Sequence, residues 1–244
     1  MLMVITNEHS YFIKEEDLST VELGSLVFNP ITEKLSLILA PGVLTPINNS
    51  DALEKFAAAI AAGGEITISE KVDAPTGFVI TLDTSITNNG EIAISEDTVG
   101  DGVFKVTSGV LTLDGKGTIN GLDKSGWSMA IWATDNGKVI IKDGYFTNVG
   151  AYSEEDGEHF DLIYASGNAL IEINGGVFEA ANPQWTLNVK DVDYKAGRAN
   201  IIVKGGSFKN FDPANCLAEG AGTNFVALGY QSVKEGDYYV VKPL

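Results

Sequence analysis

Cysteine is all but missing from this chain: Cys216 is the only one among 244 residues. A lone thiol excludes an internal disulfide framework, so packing and hydrogen bonding must close the fold. No histidine lies near it in sequence, and a thiol nucleophile needs a base beside it, so Cys216 is not read as catalytic. Proline is scarce too, at 7 residues against 27 glycines, which suits a chain that alternates short strands with tight corners. Positive charge is sparse: 16 Lys and Arg face 33 Asp and Glu, for a formal charge of −17. Neutralising phosphates takes clusters of Lys and Arg, so nucleic acid is excluded as a partner. The acidity is read as the solubility of an exposed surface. No apolar run approaches the length of a transmembrane helix, and no membrane partner is expected. Met1–Thr6 lacks the basic start of a signal peptide and polar residues follow at once, so the product is expected to be made and folded in cytoplasm. Phosphate loops, zinc-ligand spacings and G-x-S-x-G are also missing, and no cofactor is expected.

What the chain does have is a repeat. Lys138-Val-Ile-Ile-Lys-Asp-Gly-Tyr-Phe146, Leu170-Ile-Glu-Ile-Asn-Gly-Gly-Val-Phe178 and Asn200-Ile-Ile-Val-Lys-Gly-Gly-Ser-Phe208 say the same thing three times. Each is a short alternating strand, a glycine-containing corner and an aromatic. A weaker copy, Val110-Leu-Thr-Leu-Asp-Gly-Lys-Gly-Thr-Ile119, precedes them, and the anchors Ile119, Phe146, Phe178 and Phe208 follow at intervals of 27, 32 and 30 residues. A period of that size, built from strands and corners, marks a β-solenoid in which each unit buries its apolar face against the next. Residues two apart share a strand face, so Leu111/Leu113, Val139/Ile141, Ile171/Ile173 and Ile201/Val203 should form an internal ladder. The phenylalanines should stack as a column. A second strand precedes each clear rung, in 128–133, 161–165 and 185–189. Three stacked strands per coil predict an all-β fold, a right-handed parallel β-helix, with insertions at Val149–Phe160 and Val189–Arg198.

Residues 1–48 read differently, as a small β module. Gly24–Phe28 and Lys34–Leu39 are expected to form a hairpin, with shorter strands at Met3–Ile5 and Tyr11–Ile13. So short a segment cannot bury its own apolar strands, which makes Leu26, Phe28, Leu35 and Leu37 candidate interface residues. The remainder, 49–244, is the solenoid. It opens with a helix over 51–62, N-capped by Asp51 with Glu54 three residues on, and ended by Gly63-Gly64. Leu53, Phe56, Ala57 and Ile60 form its apolar stripe, expected to plug the first coil. A hairpin within 225–242 is expected to close the other end.

Two places draw the eye for chemistry. Ser153-Glu-Glu-Asp-Gly-Glu-His-Phe-Asp161 sets five carboxylates and His159 in nine residues. Glu154, Asp156, Glu158 and Asp161 are candidate ligands for a cation, and the same cluster is the obvious source of a glycosidase-like carboxylate pair. The spacing does not fit an EF-hand, and a solvated loop inserted between coils explains the composition as well. Trp132 and Tyr164 both lie seven residues before the aligned positions Val139 and Ile171, so they should stack on neighbouring coils. If Ile131 and Ile163 point inward, the aromatics point outward and are candidate ligand-binding residues, for a sugar or a partner protein; the other register makes them core.

The Gly-Gly-x-Phe rungs, followed by Asn210-Phe-Asp-Pro-Ala-Asn-Cys-Leu-Ala-Glu-Gly-Ala-Gly-Thr-Asn-Phe-Val-Ala-Leu-Gly-Tyr230, resemble the right-handed β-helix modules of bacteriophage virion proteins, such as head fibres, capsid decorations and tailspikes. The resemblance spans about residues 65–244 and carries no catalytic motif with it. It implies a non-enzymatic structural protein of the virion, held to other virion proteins through 1–48. It also implies a homo-oligomer, a trimer first, with host surface glycan as a further partner. A polysaccharide-binding or polysaccharide-degrading tailspike and a bacterial surface adhesion module are the alternatives.

Overall fold

The computed structural model describes residues 52–94, 102–121, 129–149 and 161–244 apart from 217 and 221, together with the backbone of short strands within 1–47. The chain divides into two compact units, Met1–Leu44 and Thr45–Leu244. The first holds two antiparallel hairpins: β1 (Leu2–Ile5) with β2 (Ser10–Ile13), and β3 (Ser25–Asn29) with β4 (Lys34–Ile38). Register sets Leu26 opposite Leu37 and Phe28 opposite Leu35. The side chains of these four residues, on which the interface expectation turns, lie outside the described residues.

The second unit is a parallel β-helix of three sheets. Sheet A holds β5 (Thr45–Ile47), β6 (Gly64–Ile68), β9 (Thr84–Asn88), β12 (Val110–Asp114), β15 (Lys138–Ile141), β18 (Leu170–Ile173) and β21 (Asn200–Val203). Sheet B holds β7 (Lys71–Ala74), β10 (Glu91–Ile94), β13 (Thr118–Asn120), β16 (Tyr145–Thr147), β19 (Val177–Glu179) and β22 (Gly206–Lys209), and ends in β24 (Tyr238–Pro243) and β23 (Tyr230–Glu235). Sheet C holds β8 (Phe78–Ile80), β11 (Phe104–Val106), β14 (Ile131–Ala133), β17 (Ile163–Ala165) and β20 (Leu187–Val189). From β6 to β22 the chain visits A, B and C in turn, and each strand pairs in parallel with its counterpart one coil away. Thr45–Ile47, at the end of the expected N-terminal segment, already pairs with β6 in sheet A.

Period-two alternation decides which side chains fill the coil. On sheet A, Ile86, Leu113, Ile141, Ile173 and Val203 stack in register and are buried. On sheet B the expected aromatic column is present: Phe146 and Phe178 stack at 5.0 Å and Phe178 and Phe208 at 4.7 Å, each pair 8° from parallel. Sheet C offers only one outward residue per strand, because each of its later strands is buried, half-buried, buried in sequence. The paired glycines of the repeat do two jobs. A Cβ at Gly175 would sit 2.3 Å from the Lys142 carbonyl oxygen of the preceding coil, so only glycine lets the corners stack. Gly176 follows with φ 99°, a left-handed turn into sheet B that other residues resist.

Both ends of the rod are covered by its own chain. Helix α1 (Ala52–Ala62) presents Ala52, Phe56 and Ile60 to the end of the coil, where Phe56 meets Phe78 of the first coil edge-on at 4.8 Å and Phe104 of the second at 6.2 Å. The stripe is therefore rotated from the expected one: Ala57 is exposed and Ala52 takes its place. Gly63, with φ 69°, ends the helix by donating its N–H to the Ala59 and Ile60 carbonyls. Asp51 lies outside the described residues. At the far end the hairpin is β23 with β24, and it lengthens sheet B because β24 runs antiparallel to β22. Phe225–Ala227, expected in that hairpin, instead lies along the edge of sheet A: Val203 N–H donates to Phe225 and Ala227 N–H donates back to Val203.

The segments joining sheet B to sheet C vary in length, from 75–77 in the first coil to 95–103, 121–130, 148–162 and 180–186 in the later ones. The expected insertion at Val149–Phe160 belongs to this set and, beyond Val149, lies outside the described residues. The one at Val189–Arg198 departs from the C-to-A corner and folds as α2 (Asp191–Lys195).

Candidate functional site

The outward column of sheet C runs Val79, Lys105, Trp132, Tyr164, Asn188, held in register by backbone pairing from β8 to β20. Ile131 and Ile163 point inward and are fully buried, so Trp132 and Tyr164 face out, each half-buried by its neighbours. Their ring centroids are 6.3 Å apart with planes 43° from parallel. The Lys105 ammonium lies 4.2 Å over the Trp132 ring, a cation–π contact that covers part of that aromatic surface. Trp132 donates its indole N–H to Ser166 Oγ at 2.9 Å, and the Ser166 hydroxyl donates on to Thr134 at 2.9 Å. These bonds fix the indole against one side of the column.

Carboxylates close the other side and the end. Asp161, just before β17, is buried, and its Oδ1 accepts the side-chain N–H of Asn188 at 2.9 Å. Burial pushes its carboxyl up to about 7, and the negative charge of Glu219 adds to that, against the opposing bond from Asn188. Glu219 comes from the segment after β22. One of its oxygens accepts the Val189 N–H at 2.6 Å and the other the Cys216 thiol at 2.8 Å. It satisfies an edge N–H of β20, the last strand of sheet C. Burial raises the Glu219 carboxyl and pushes the Cys216 thiol up to about 12, so this cysteine is a structural thiol. The Tyr164 hydroxyl is also driven up to about 12, by burial first and then by the charges of Asp161, Asp193, Asp191 and Glu219. Asp193 itself is held low by Arg198 and by the Gly167 N–H, which ties α2 to the corner after β17.

Of the sequence candidates, Trp132, Tyr164 and Asp161 thus come together on one face. Glu154, Asp156 and Glu158 lie outside the described residues. Among the described residues no group of three or more His, Cys, Asp or Glu side chains is placed to hold a metal ion. No described helix is long and apolar enough to cross a membrane.

Lys105, Asn188 and Glu219 were missed by sequence reasoning, and for a countable reason. Trp132 and Tyr164 precede their sheet A partners Val139 and Ile171 by seven residues, but Lys105 precedes Leu111 by six and Asn188 precedes Ile201 by thirteen, because α2 intervenes. Counting back from the sheet A ladder finds the first two and misses the others. Glu219 carries no such signal.

No protein-family model matches this chain, and neither does any curated protein or solved structure.

Proposed function

We propose that this chain is a non-enzymatic structural protein of a phage particle, a head fibre, capsid decoration or tail fibre component. In this reading residues 1–48 attach it to other virion proteins and associate it as a trimer, while the β-helix displays a surface to the host. One observation carries the reading. The solenoid covers its own ends, with α1 at one and the strands after β22 at the other, yet the chain spends its first 44 residues on a separate compact unit. A unit that the rod does not need for closure is suited to holding it to something else. The rungs add the family resemblance. The experiment is co-sedimentation of purified full-length chain with particles of a host phage lacking it. Retention by the full chain and loss on removing 1–44 supports the proposal; equal retention of both, or of neither, overturns it.

A second reading is favoured by the outward Trp132–Tyr164–Asn188 column beside Asp161: recognition of a surface polysaccharide by this face. Aromatic surface with amide and carboxylate neighbours suits sugar C–H faces and hydroxyls. Glycan-array binding by the intact protein, abolished by Tyr164→Ala with folding retained, would support it, and array binding unchanged by that substitution would remove it.

A further inference from the structure

Asparagine stands directly before glycine at four places in the chain: Asn89, Asn120, Asn136 and Asn174. Such a pair can modify itself, because a following residue without a Cβ leaves its nitrogen unhindered for attack on the asparagine side chain. The nitrogen must lose its proton to act as a nucleophile, so a glycine N–H already held in a hydrogen bond is protected. Three of the four are held in this way. Gly90 donates its N–H to Asn88 Oδ1 at 3.0 Å, Gly121 to the Thr147 carbonyl at 2.7 Å, and Gly137 to the Thr134 carbonyl at 2.9 Å. The Gly175 N–H has no hydrogen-bond partner among the described residues. Asn174 is exposed, at the corner between β18 and β19.

The reach that attack requires is visible two coils earlier. Register sets Asp114, Lys142, Asn174 and Lys204 at one place on successive coils, each just after the aligned residues Leu113, Ile141, Ile173 and Val203. Asp114 turns its side chain back, so that its Oδ1 accepts the Gly115 N–H at 2.8 Å. A side chain at this position therefore brings its Cγ close to the following amide nitrogen, toward the roughly 3–3.5 Å of a near-attack geometry. Asn174 is turned away instead. Its side-chain N–H donates to Glu172 Oε1 at 2.9 Å, and the Lys204 ammonium holds the other oxygen of Glu172 at 2.6 Å.

From the unbonded Gly175 N–H and the tether on the Asn174 amide, we propose that the Asn174–Gly175 corner is a site of spontaneous deamidation, with Glu172 as its brake. The Gly175 nitrogen gives its proton to solvent and bonds to Asn174 Cγ. The Cγ–Nδ2 bond breaks, and ammonia leaves with a proton taken back from solvent, closing a five-membered imide. Water then opens the ring: cleavage at Cγ gives aspartate, and cleavage at the main-chain carbonyl gives isoaspartate. Aspartate at this position stands between Lys142 and Lys204, so charge alternates along the column from Asp114 onward. Isoaspartate lengthens the main chain by one carbon at a corner where even a Cβ on Gly175 would meet the Lys142 carbonyl oxygen at 2.3 Å, so this product strains the stack.

The test is incubation of the full chain in mildly alkaline buffer, folded and in urea, with the mass gain of an amide-to-acid change located by fragmentation mass spectrometry. In urea all four asparagines should convert. In the folded chain Asn174 should convert, while Asn89, Asn120 and Asn136 lag it by about tenfold, because a hydrogen bond at their glycine must break first. Glu172→Ala should speed conversion at Asn174 by roughly three- to tenfold, the range that release of one part-exposed hydrogen bond allows, and leave the other three unchanged. No gain at Asn174 in the folded chain, or equal gain at all four, overturns the site. Conversion of Asn174 at an unaltered rate in Glu172→Ala overturns the brake.

Discussion

Phe178→Ala is the sharpest probe of the solenoid's packing. The ring is fully buried and stacked on both sides, 5.0 Å from Phe146 and 4.7 Å from Phe208. Truncation removes the apolar transfer of a whole aromatic and leaves a void, together worth about 3–5 kcal/mol. The two stacking contacts add to this in principle, about 0.5–1.5 kcal/mol each, though Phe146 and Phe208 regain part of it by settling toward each other. The backbone at this level is pinned by parallel ladders to β16 and β22, so collapse is limited and the upper part of the range is expected. In a cooperative unit of this size each kcal/mol moves the midpoint by about 2–4 °C, which gives a fall on the order of 10–20 °C. Differential scanning calorimetry is the assay, with Val177→Ala as the control, since Val177 is only half-buried on the outward side of the same strand. A Phe178→Ala melt within error of wild type, or one matched by the control, would refute the register and the column together.

Three further outcomes follow from the same structure. Gly175→Ala places a Cβ 2.3 Å from the Lys142 carbonyl oxygen, so the corners must separate; the variant should lose more stability than Gly197→Ala, where no atom lies within 4 Å and both changes share an ordinary glycine-to-alanine background apart from the φ 67° of Gly197. Denaturant midpoints decide the order. Asp161 is raised in the folded state to about 7, so its contribution is fully present below about pH 3.8 and is lost as pH rises through 7. Stability should therefore decline across this window by on the order of 4 kcal/mol at most, and Asp161→Asn should flatten the decline in urea titrations at fixed pH. Deleting Ser153–Glu158, in the segment joining β16 to β17, should leave the far-UV spectrum and melt intact and remove no glycan-releasing activity; oligosaccharide release by the intact chain that vanishes on deletion would favour the polysaccharide-degrading reading.

The solenoid was legible because its energetics are written locally and repeated. Strand alternation fixed the face of Ile141, Ile173 and Val203, and the common offset from the glycine to the aromatic fixed Phe146, Phe178 and Phe208. The same counting located Trp132 and Tyr164. It failed where corner lengths change, which hid Lys105 and Asn188. It also failed where a side chain replaces a strand, as Glu219 does at Val189. The helical stripe was misplaced because alanines at 52 and 57 carry almost no signal, and the shape of the first coil chose between them. At the C-terminus Phe225–Tyr230 reads as a strand by alternation alone. Gly229, at φ 84°, breaks that run and turns the chain into β23. The acidic run was conspicuous by composition, but Asp161, its one described residue, joins the face through burial that composition does not encode.

The central claim is that the rod stands alone and the N-terminal unit does the associating. Light scattering on the full chain and on a chain beginning at Thr45 tests it directly, since β5 starts there and sheet A keeps its first strand. The account predicts a discrete oligomer, a trimer first, for the full chain, and a folded monomer with an unchanged rod melt for the shortened one. The same oligomer from both chains, or monomers from both, would contradict it and move association to the flat faces of the β-helix, beginning with Trp132 and Tyr164.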